Sequence, residues 1–477
     1  MERRRLSHLL AAALLLGAAA VLVFALRPAV AEAPPAPPPP AAPAPPAVAE
    51  KAPPDLNAMA DEVVRDVETQ RGWKFKEPVK RQLVTSQEAR VWMQKEIERQ
   101  VLAAKILTSQ AFLRTVGLVP PDCDLKKTFL DILEGQIGGY YDTTTRTLSM
   151  VKPEGGRRMP DLIERTMLAH ELTHALDDQY VDLTKLTDEH IDRSEDQDLV
   201  AGSVIEGSAT SLMTAYVVQL QMSGRFDMGE LQAYAQEEMA RDRVFEEAPR
   251  YFSSLLATYM CGMQFLAKGS LLGAMLAPDN KAVGQNLLAT VKDMPRSTEQ
   301  ILHPAKYWDA AARDEPVVLK DEAAVKILSR PGRWVVHADT VGEILMAILT
   351  TPKDRKLDPM AMAMASSWTN PAATGWGGDR FFLLASGPSA KAAGKDLKNL
   401  QGVWFTFWDT PADCDEFVQA YEQSPSTGPR AVFRLGNQGA VVCFGFDEAE
   451  RAAFQSQIEK SPPPTLRGGK PWSPWSL

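Results

Sequence analysis

Histidine and cysteine are scarce in this sequence, and positive charge is in the minority. The chain of 477 residues has 6 histidines and 4 cysteines, and its formal net charge is −9. Nucleic acids attract cationic surfaces, so this balance argues against nucleic-acid binding. No two cysteines have Cys-x-x-Cys spacing, which argues against a thiolate metal site. A metal site is therefore to be sought among the few histidines.

The first 31 residues have the pattern of an export signal. Three arginines at positions 3–5 precede an apolar run over residues 9–26, and Ala29-Val30-Ala31 offers the small-x-small pattern that signal peptidase accepts. The run is also nearly long enough to span a bilayer, so an uncleaved membrane anchor remains open. Residues 32–55, rich in proline and alanine, predict an extended tether. The rest of the chain is expected outside the cytoplasm, as a periplasmic, secreted or membrane-anchored protein.

His170, Glu171 and His174 form a His-Glu-x-x-His motif inside a predicted helix, residues 162–179. Two histidines one turn apart project from the same side of a helix, so both imidazoles can reach one ion. With so few histidines, the motif would arise by chance in roughly one chain in a few hundred. The geometry suits zinc, which takes three protein ligands and keeps a fourth position for water.

Glu206 is the predicted third metal ligand. It is a lone acid on an apolar, small-residue face of a second predicted helix, residues 199–221. A buried carboxylate is costly there unless a cation compensates it, although a helix this long could instead turn Glu206 to solvent. Gly202 and Gly207 are expected to let this helix approach the metal helix closely. The insertion between the two helices, residues 182–198, predicts a loop at the cleft.

Three further residues are candidates for supporting roles. A histidine ligand commonly donates its second N–H to a carboxylate, and Asp178 lies one turn beyond His174. A zinc hydrolase also needs a donor for the developing oxyanion, and His303 is the first choice and Tyr307 the second. A helix-capping or surface role is the ordinary alternative for both.

β structure is predicted in two places. Residues 139–142 and 147–151 predict a hairpin at the edge of a small sheet, which could hold an extended substrate or be purely structural. Strands at residues 381–386, 403–408, 431–435 and 440–446, with helices at 411–421 and 447–458, predict a C-terminal antiparallel α+β unit. The four cysteines allow one or two disulfides, and Cys414 with Cys443, both in this unit, is the favoured pair.

The motifs resemble those of a known class of enzymes. His170-Glu171-Leu172-Thr173-His174, followed by Glu206-Gly207-x-Ala209, resembles the gluzincin metallopeptidases, which include the thermolysin-like enzymes. The whole set is similar to a group of exported, poorly characterised bacterial proteins identified as metallopeptidases, through the motifs above and residues 139–142, 297–304 and 375–380. The sequence departs from the thermolysin-like pattern in two ways. The separation of His174 and Glu206 is longer, and Thr210 stands where those enzymes have an aspartate.

The resemblance implies a mostly helical, zincin-like catalytic domain with a small edge sheet, within an α+β fold. The expected divisions are residues 1–31, the tether 32–55, the catalytic domain 56–335, the α+β unit 336–462 and a tail 463–477. The expected function of the protein is zinc-dependent hydrolysis of peptide bonds in a peptide or protein substrate, with Glu171 as general base toward a zinc-activated water. The alternative is a non-catalytic, zinc-stabilised scaffold that binds envelope components.

Overall fold

The computed structural model describes residues 56–100, 103–134, 138–152, 159–188, 193–225, 248–275, 278–352, 364–393, 399–424 and 430–474. The predicted export signal and tether lie outside these ranges. The sequence over residues 230–248 also has a helical pattern, and almost all of it lies outside them. Helices and mainly antiparallel strands are both present, which confirms a mixed α+β fold. None of the helices from Leu56 onward that the structure describes is both long and apolar enough to cross a bilayer.

Helices dominate the described part of the chain before residue 310. They are α1 (Leu56–Arg71), α2 (Ser86–Gln100), α3 (Ala103–Val116), α4 (Leu125–Glu134), α5 (Asp161–Val181), α6 (Leu183–Asp188), α7 (Glu195–Met222), α8 (Ser253–Leu266), α9 (Leu271–Met275), α10 (Asn280–Lys292), α11 (Thr298–Leu302) and α12 (Ala305–Trp308), with a 3₁₀ turn at Arg250–Phe252. The two helices predicted to carry the metal ligands are α5 and α7. The predicted cleft insertion is partly helical, because α6 lies within it.

A three-stranded sheet accompanies these helices. Its strands are β1 (Lys80–Val84), β2 (Gly139–Asp142) and β3 (Thr147–Val151), in the order β1-β3-β2. β2 and β3 form the predicted antiparallel hairpin, with Tyr140 opposite Ser149, and β1 runs parallel to β3. β2 is therefore an edge strand of the sheet. β1 was not predicted, since its short sequence Lys-Arg-Gln-Leu-Val carries charge and little alternation.

The C-terminal part contains a five-stranded antiparallel sheet in the order β5-β6-β7-β9-β8. Its elements are β5 (Trp334–Asp339), α14 (Gly342–Thr350), β6 (Trp376–Ala385), β7 (Gln401–Trp408), α15 (Pro411–Gln423), β8 (Arg430–Leu435), β9 (Gly439–Phe444) and α16 (Glu448–Lys460), with 3₁₀ turns at Ala365–Trp368 and Ala390–Ala393. The four predicted strands and two predicted helices are confirmed. β5 was not predicted.

A second small sheet connects residues 465–472 to the segment that lies between helix α12 and the C-terminal sheet. It contains β4 (Val317–Leu319), β10 (Thr465–Arg467) and β11 (Lys470–Trp472), and α13 (Asp321–Leu328) follows β4. The segment predicted to be a tail thus forms two strands: β10 pairs with β4, and β11 pairs with β10. The continuous hydrophobic core also runs from the helices onto one face of the C-terminal sheet.

The four cysteines are all buried and all free, so neither the favoured Cys414–Cys443 pair nor another disulfide is formed in the structure. Cys414 lies in the core that joins the helices to one face of the sheet. Cys443 belongs to a separate hydrophobic cluster that includes α13 and α16. Location in the same unit did not imply contact, because a sheet separates the side chains on its two faces.

Candidate metal centre

The motif helix α5 is a core helix. It begins after Pro160 and is followed by Asp182, which has the left-handed conformation. Asp161 and Glu164 lie in its first turn, where a carboxylate interacts favourably with the helix dipole. His170, Glu171 and His174 are all buried. Residues 166–178 of α5 are buried on every side of the helix, so its polar residues face other protein groups.

α5 and α7 bring His170, His174 and Glu206 together, as predicted from their spacing and burial. The two Nε2 atoms are 2.9 Å apart, and they lie 3.3 and 3.4 Å from Oε2 of Glu206. Ligands bound tetrahedrally to zinc at about 2.0–2.1 Å lie about 3.3 Å from one another. The three donor atoms therefore form a triangle close to the size that one divalent ion requires.

The burial of these donors also fits a cation. Glu206 is 2% exposed, and its Oε1 has no hydrogen-bond partner. A buried carboxylate oxygen without a partner costs free energy that a bound cation would offset. Burial tends to raise the pKa of Glu206, but the two imidazoles outweigh it and lower the pKa to about 2. The carboxylate is therefore ionised and able to act as a ligand.

The two histidines have opposite electrostatic surroundings. Burial lowers the pKa of His170 to about 4. Burial also acts to lower the pKa of His174, but Glu206, Glu171 and Asp177 raise it to about 9. A ligating imidazole must be neutral, so binding of a metal at His174 would release a proton and would become stronger as the pH rises.

Glu171 lies beside the triangle but is held by a different element. Its Oε2 accepts a hydrogen bond of 2.8 Å from the backbone N–H of Tyr141 in β2, while its buried Oε1 has no partner. Burial raises the pKa of Glu171 to about 7, and the charge of Glu206 acts in the same direction. One carboxylate oxygen is thus fixed in place and the other is available to accept a proton.

Tyr259 in α8 is the residue at the centre that sequence reasoning missed. Its ring stacks on that of His170, with centroids 5.9 Å apart and planes 20° apart. Its hydroxyl donates a hydrogen bond to Glu206, and burial together with Glu206 raises the pKa of Tyr259 well above its usual value. The only signal in the sequence was a hydroxyl-bearing side chain within an apolar helix, which core packing also explains.

The position of Tyr259 depends on a close helix crossing. Gly207 of α7 lies against Gly262 of α8, since a Cβ added to Gly207 would be 2.1 Å from the carbonyl carbon of Gly262. The sequence predicted that the small residues of α7 face the metal helix. They instead admit α8, and Gly202 likewise faces Thr258 of that helix.

The carboxylates after His174 have different roles from those expected. Asp178 accepts hydrogen bonds from the Tyr141 hydroxyl at 2.9 Å and from the Leu183 N–H at 2.8 Å. Asp177 is the neighbour that acts electrostatically on His174. Asp178 therefore ties the hairpin to α5 instead of orienting a metal ligand.

His303 and Tyr307 are not brought into the group. His303 Nε2 lies 3.0 Å from Glu343 Oε1, and the Tyr307 hydroxyl donates to the Asp293 carbonyl at 2.5 Å. Burial raises the pKa of Tyr307, and Asp293 adds to this. An oxyanion role for either residue stays a prediction, and in this structure their hydrogen bonds serve the packing of α11 and α12.

A second set of carboxylates, from Glu299, Asp314 and Asp409, lies close enough to hold an ion. Lys306 Nζ already contacts them, at 2.5, 3.1 and 2.9 Å respectively. Arg467 adds hydrogen bonds of 2.6 Å to Asp314 and Asp409. This cluster, named here the lysine cage, is an ion-pair network that connects α11 and α12 to the C-terminal part.

Comparison with known proteins bears on the C-terminal sheet alone. Residues 331–455 match a family described as a domain of unknown function, DUF8575. The matched segment runs from just before β5 into α16 and contains none of the residues of the metal centre. No curated protein and no solved structure matches the chain.

Proposed function

We propose that this protein is a zinc-dependent peptidase of the gluzincin type that hydrolyses peptide bonds outside the cytoplasm. The observation that carries the proposal is the convergence of His170, His174 and Glu206 from two helices, with the unliganded carboxylate of Glu171 beside them. The order of elements along the chain also supports a zincin-like fold, since the edge strand β2 is followed by the motif helix α5 and then by α7, which supplies the carboxylate of Glu206.

Zinc is the proposed ion because of the donor set. Two imidazoles and one carboxylate are typical of catalytic zinc sites, whereas calcium and magnesium prefer oxygen ligands. Bound zinc supplies Lewis acidity toward a carbonyl oxygen and lowers the pKa of a bound water toward neutrality.

The chain's own residues then have separable tasks. Glu171 Oε1 accepts a proton from water and returns it to the leaving amine, and a pKa raised to about 7 suits both steps. The Tyr141 N–H keeps the other oxygen of Glu171 in place. The Tyr259 hydroxyl, which is hydrogen-bonded to Glu206 in this structure, is a candidate donor for an oxyanion. β2, as an edge strand, supports the binding of an extended peptide.

The test is metal analysis of the full-length protein combined with digestion of a peptide library. The expected result is one zinc per chain and cleavage that a chelator abolishes. Glu171→Gln is expected to retain zinc and lose cleavage, and His170→Ala is expected to lose both. Asp161→Asn, a substitution at an exposed residue of the same helix, is the matched control and leaves zinc content and cleavage unchanged. Cleavage that persists in Glu171→Gln would contradict the mechanism.

A second candidate function has one specific observation in its favour. His170 is 0% exposed and Glu171 is 1% exposed, as expected for a structural metal site, since a catalytic one keeps a position open to water. In that case the protein is a zinc-stabilised scaffold that binds envelope components. Zinc would raise its melting temperature, no peptide would be cleaved, and Glu171→Gln would change neither property.

A further inference from the structure

Arg71, the last residue of α1, is a fully buried arginine, and none of the proposed metal ligands lies in that helix. Its Nη2 lies 3.1 Å from Asp177 Oδ2 and donates to Ser208 Oγ at 2.8 Å. Ser208 Oγ in turn donates to Asp177 Oδ2 at 2.6 Å. The three side chains form a closed network, named here the Arg71 network, with no exposed member.

The Arg71 network touches both helices that carry metal ligands. Asp177 lies three residues after His174 in α5, and Ser208 lies two residues after Glu206 in α7. Asp177 Oδ1 is buried and has no hydrogen-bond partner, and the carboxylate acts electrostatically on His174. The network therefore fixes α5 against α7 at the level of the ligands and keeps a negative charge beside one of them.

The surroundings of Arg71 are shaped to hold it. Its guanidinium carbon lies 5.5 Å from the centroid of the Trp73 ring, and Nη1 donates to the Asn280 carbonyl at 3.4 Å. Gly284 leaves room for the arginine, since a Cβ there would be 2.9 Å from Arg71 Cδ. A buried ion pair is often no more stabilising than apolar residues of the same volume. Stability alone therefore gives little reason for an arginine at this position.

We propose that Arg71 is a positioning residue of the metal centre: through Asp177 and Ser208 it sets the spacing of the helices that carry His174 and Glu206. The inference rests on the metal site of the proposed function and does not depend on peptide hydrolysis. It gives α1, otherwise a packing helix, an indirect part in metal binding.

The experiment measures zinc affinity of the full-length protein by competition with a chromogenic chelator. Arg71→Met is expected to weaken zinc binding by about 10- to 100-fold, as is typical when a group that supports a ligand is removed. Arg71→Lys keeps the charge and recovers part of the affinity. The matched control is Arg165→Met, which breaks another α1–α5 contact, the 2.8 Å pair with Glu62, and leaves zinc affinity unchanged.

A spectroscopic readout separates positioning from general destabilisation. The visible bands of the cobalt-substituted protein, which report ligand geometry, are expected to shift in Arg71→Met and not in Arg165→Met. If Arg71→Met does not fold, Ser208→Ala removes hydrogen bonds with little change in volume, and about fivefold weaker zinc binding is expected.

Unchanged zinc affinity and cobalt bands in a folded Arg71→Met or Ser208→Ala protein overturn the proposal, as does an equal loss in Arg165→Met. Failure of the peptidase proposal is distinguishable, because a protein that binds zinc without cleaving peptides still shows the Arg71 effect. If the unaltered protein binds no zinc, the metal centre and this inference fail together.

Discussion

Gly207 and Gly262 bring α7 and α8 into backbone contact, one residue from Glu206 and three residues from Tyr259. This contact allows a hydroxyl from α8 to reach a carboxylate on α7. Neither glycine has room for a side chain, since a Cβ on Gly262 would lie 1.9 Å from the Ser203 carbonyl oxygen. The crossing and the metal centre are therefore coupled.

Gly207→Ala and Gly262→Ala are each expected to destabilise the protein by about 3 kcal/mol, the upper range for overpacking, because backbone atoms cannot move aside as a side chain can. Zinc affinity is expected to fall in both. Gly202→Ala is the control, since its Cβ would meet only the Thr258 side chain, with the methyl at 3.3 Å, and the loss of stability is expected below about 1 kcal/mol. Urea unfolding measures all three. Equal stability of Gly202→Ala and Gly207→Ala would contradict the close crossing.

Tyr259→Phe tests the residue that the sequence did not reveal. If the hydroxyl stabilises an oxyanion, kcat falls by about 10²- to 10³-fold while zinc affinity changes little. If it only holds Glu206, zinc affinity falls and kcat of the zinc-loaded enzyme is retained. Tyr307→Phe is the matched control and is expected to keep full activity, because its hydroxyl bonds to the Asp293 carbonyl. A large loss of kcat in Tyr307→Phe would instead support Tyr307, the second candidate from the sequence.

Asp196 predicts a dependence of stability on pH. Burial raises its pKa to about 7, and Asp379 and Glu343 act in the same direction against the hydrogen bonds from Thr298. A carboxyl group with a raised pKa stabilises the fold fully below its unfolded pKa, near 4, and loses this contribution as the pH rises toward 7.

Asp196→Asn is therefore expected to remove a decline in the free energy of unfolding between pH 4 and pH 7 on the order of 2–4 kcal/mol. The asparagine Oδ1 can still accept from the Thr298 N–H and hydroxyl. Urea unfolding at several pH values measures the effect. A decline of equal size in the variant would assign it to other groups.

The lysine cage is expected to be important for stability. Lys306→Met leaves the fully buried Glu299 without its cationic partner, while Arg467 still pairs with Asp314 and Asp409. Removal of one partner from a buried ion pair costs about 3–5 kcal/mol, and the partial exposure of Lys306 favours the lower end. Thermal unfolding measures it, with Lys268→Met, whose ammonium faces the Trp308 ring, as the control. A melting temperature unchanged in Lys306→Met would show that the cage is dispensable.

The cysteines give a simple check of the core. All 4 thiols are expected to be unreactive in the folded protein and to react with a thiol reagent after unfolding without reductant. Burial raises the pKa of Cys414 and of Cys443 to about 12, which keeps both as unreactive thiols. Fewer than 4 thiols after unfolding would reveal a disulfide.

The sequence predicted features that depend on local pattern. The spacing of His170 and His174 located α5, and alternation located the strands of the C-terminal sheet. Glu206 was found because a lone acid in an apolar helix is chemically unusual. Tyr259 and Arg71 were not found, since their roles depend on contacts between helices distant in sequence. The same limit applies to Cys414 and Cys443, which share a unit but not a side of the sheet.

Tyr141 attaches the hairpin to α5 through its backbone N–H and its hydroxyl. A chain that added to the outer side of β2 would compete for that N–H and release the oxygen of Glu171 that it now holds. A peptide bound at the strand would then free the second carboxylate oxygen of Glu171, and an empty strand would keep that oxygen bonded to the hairpin.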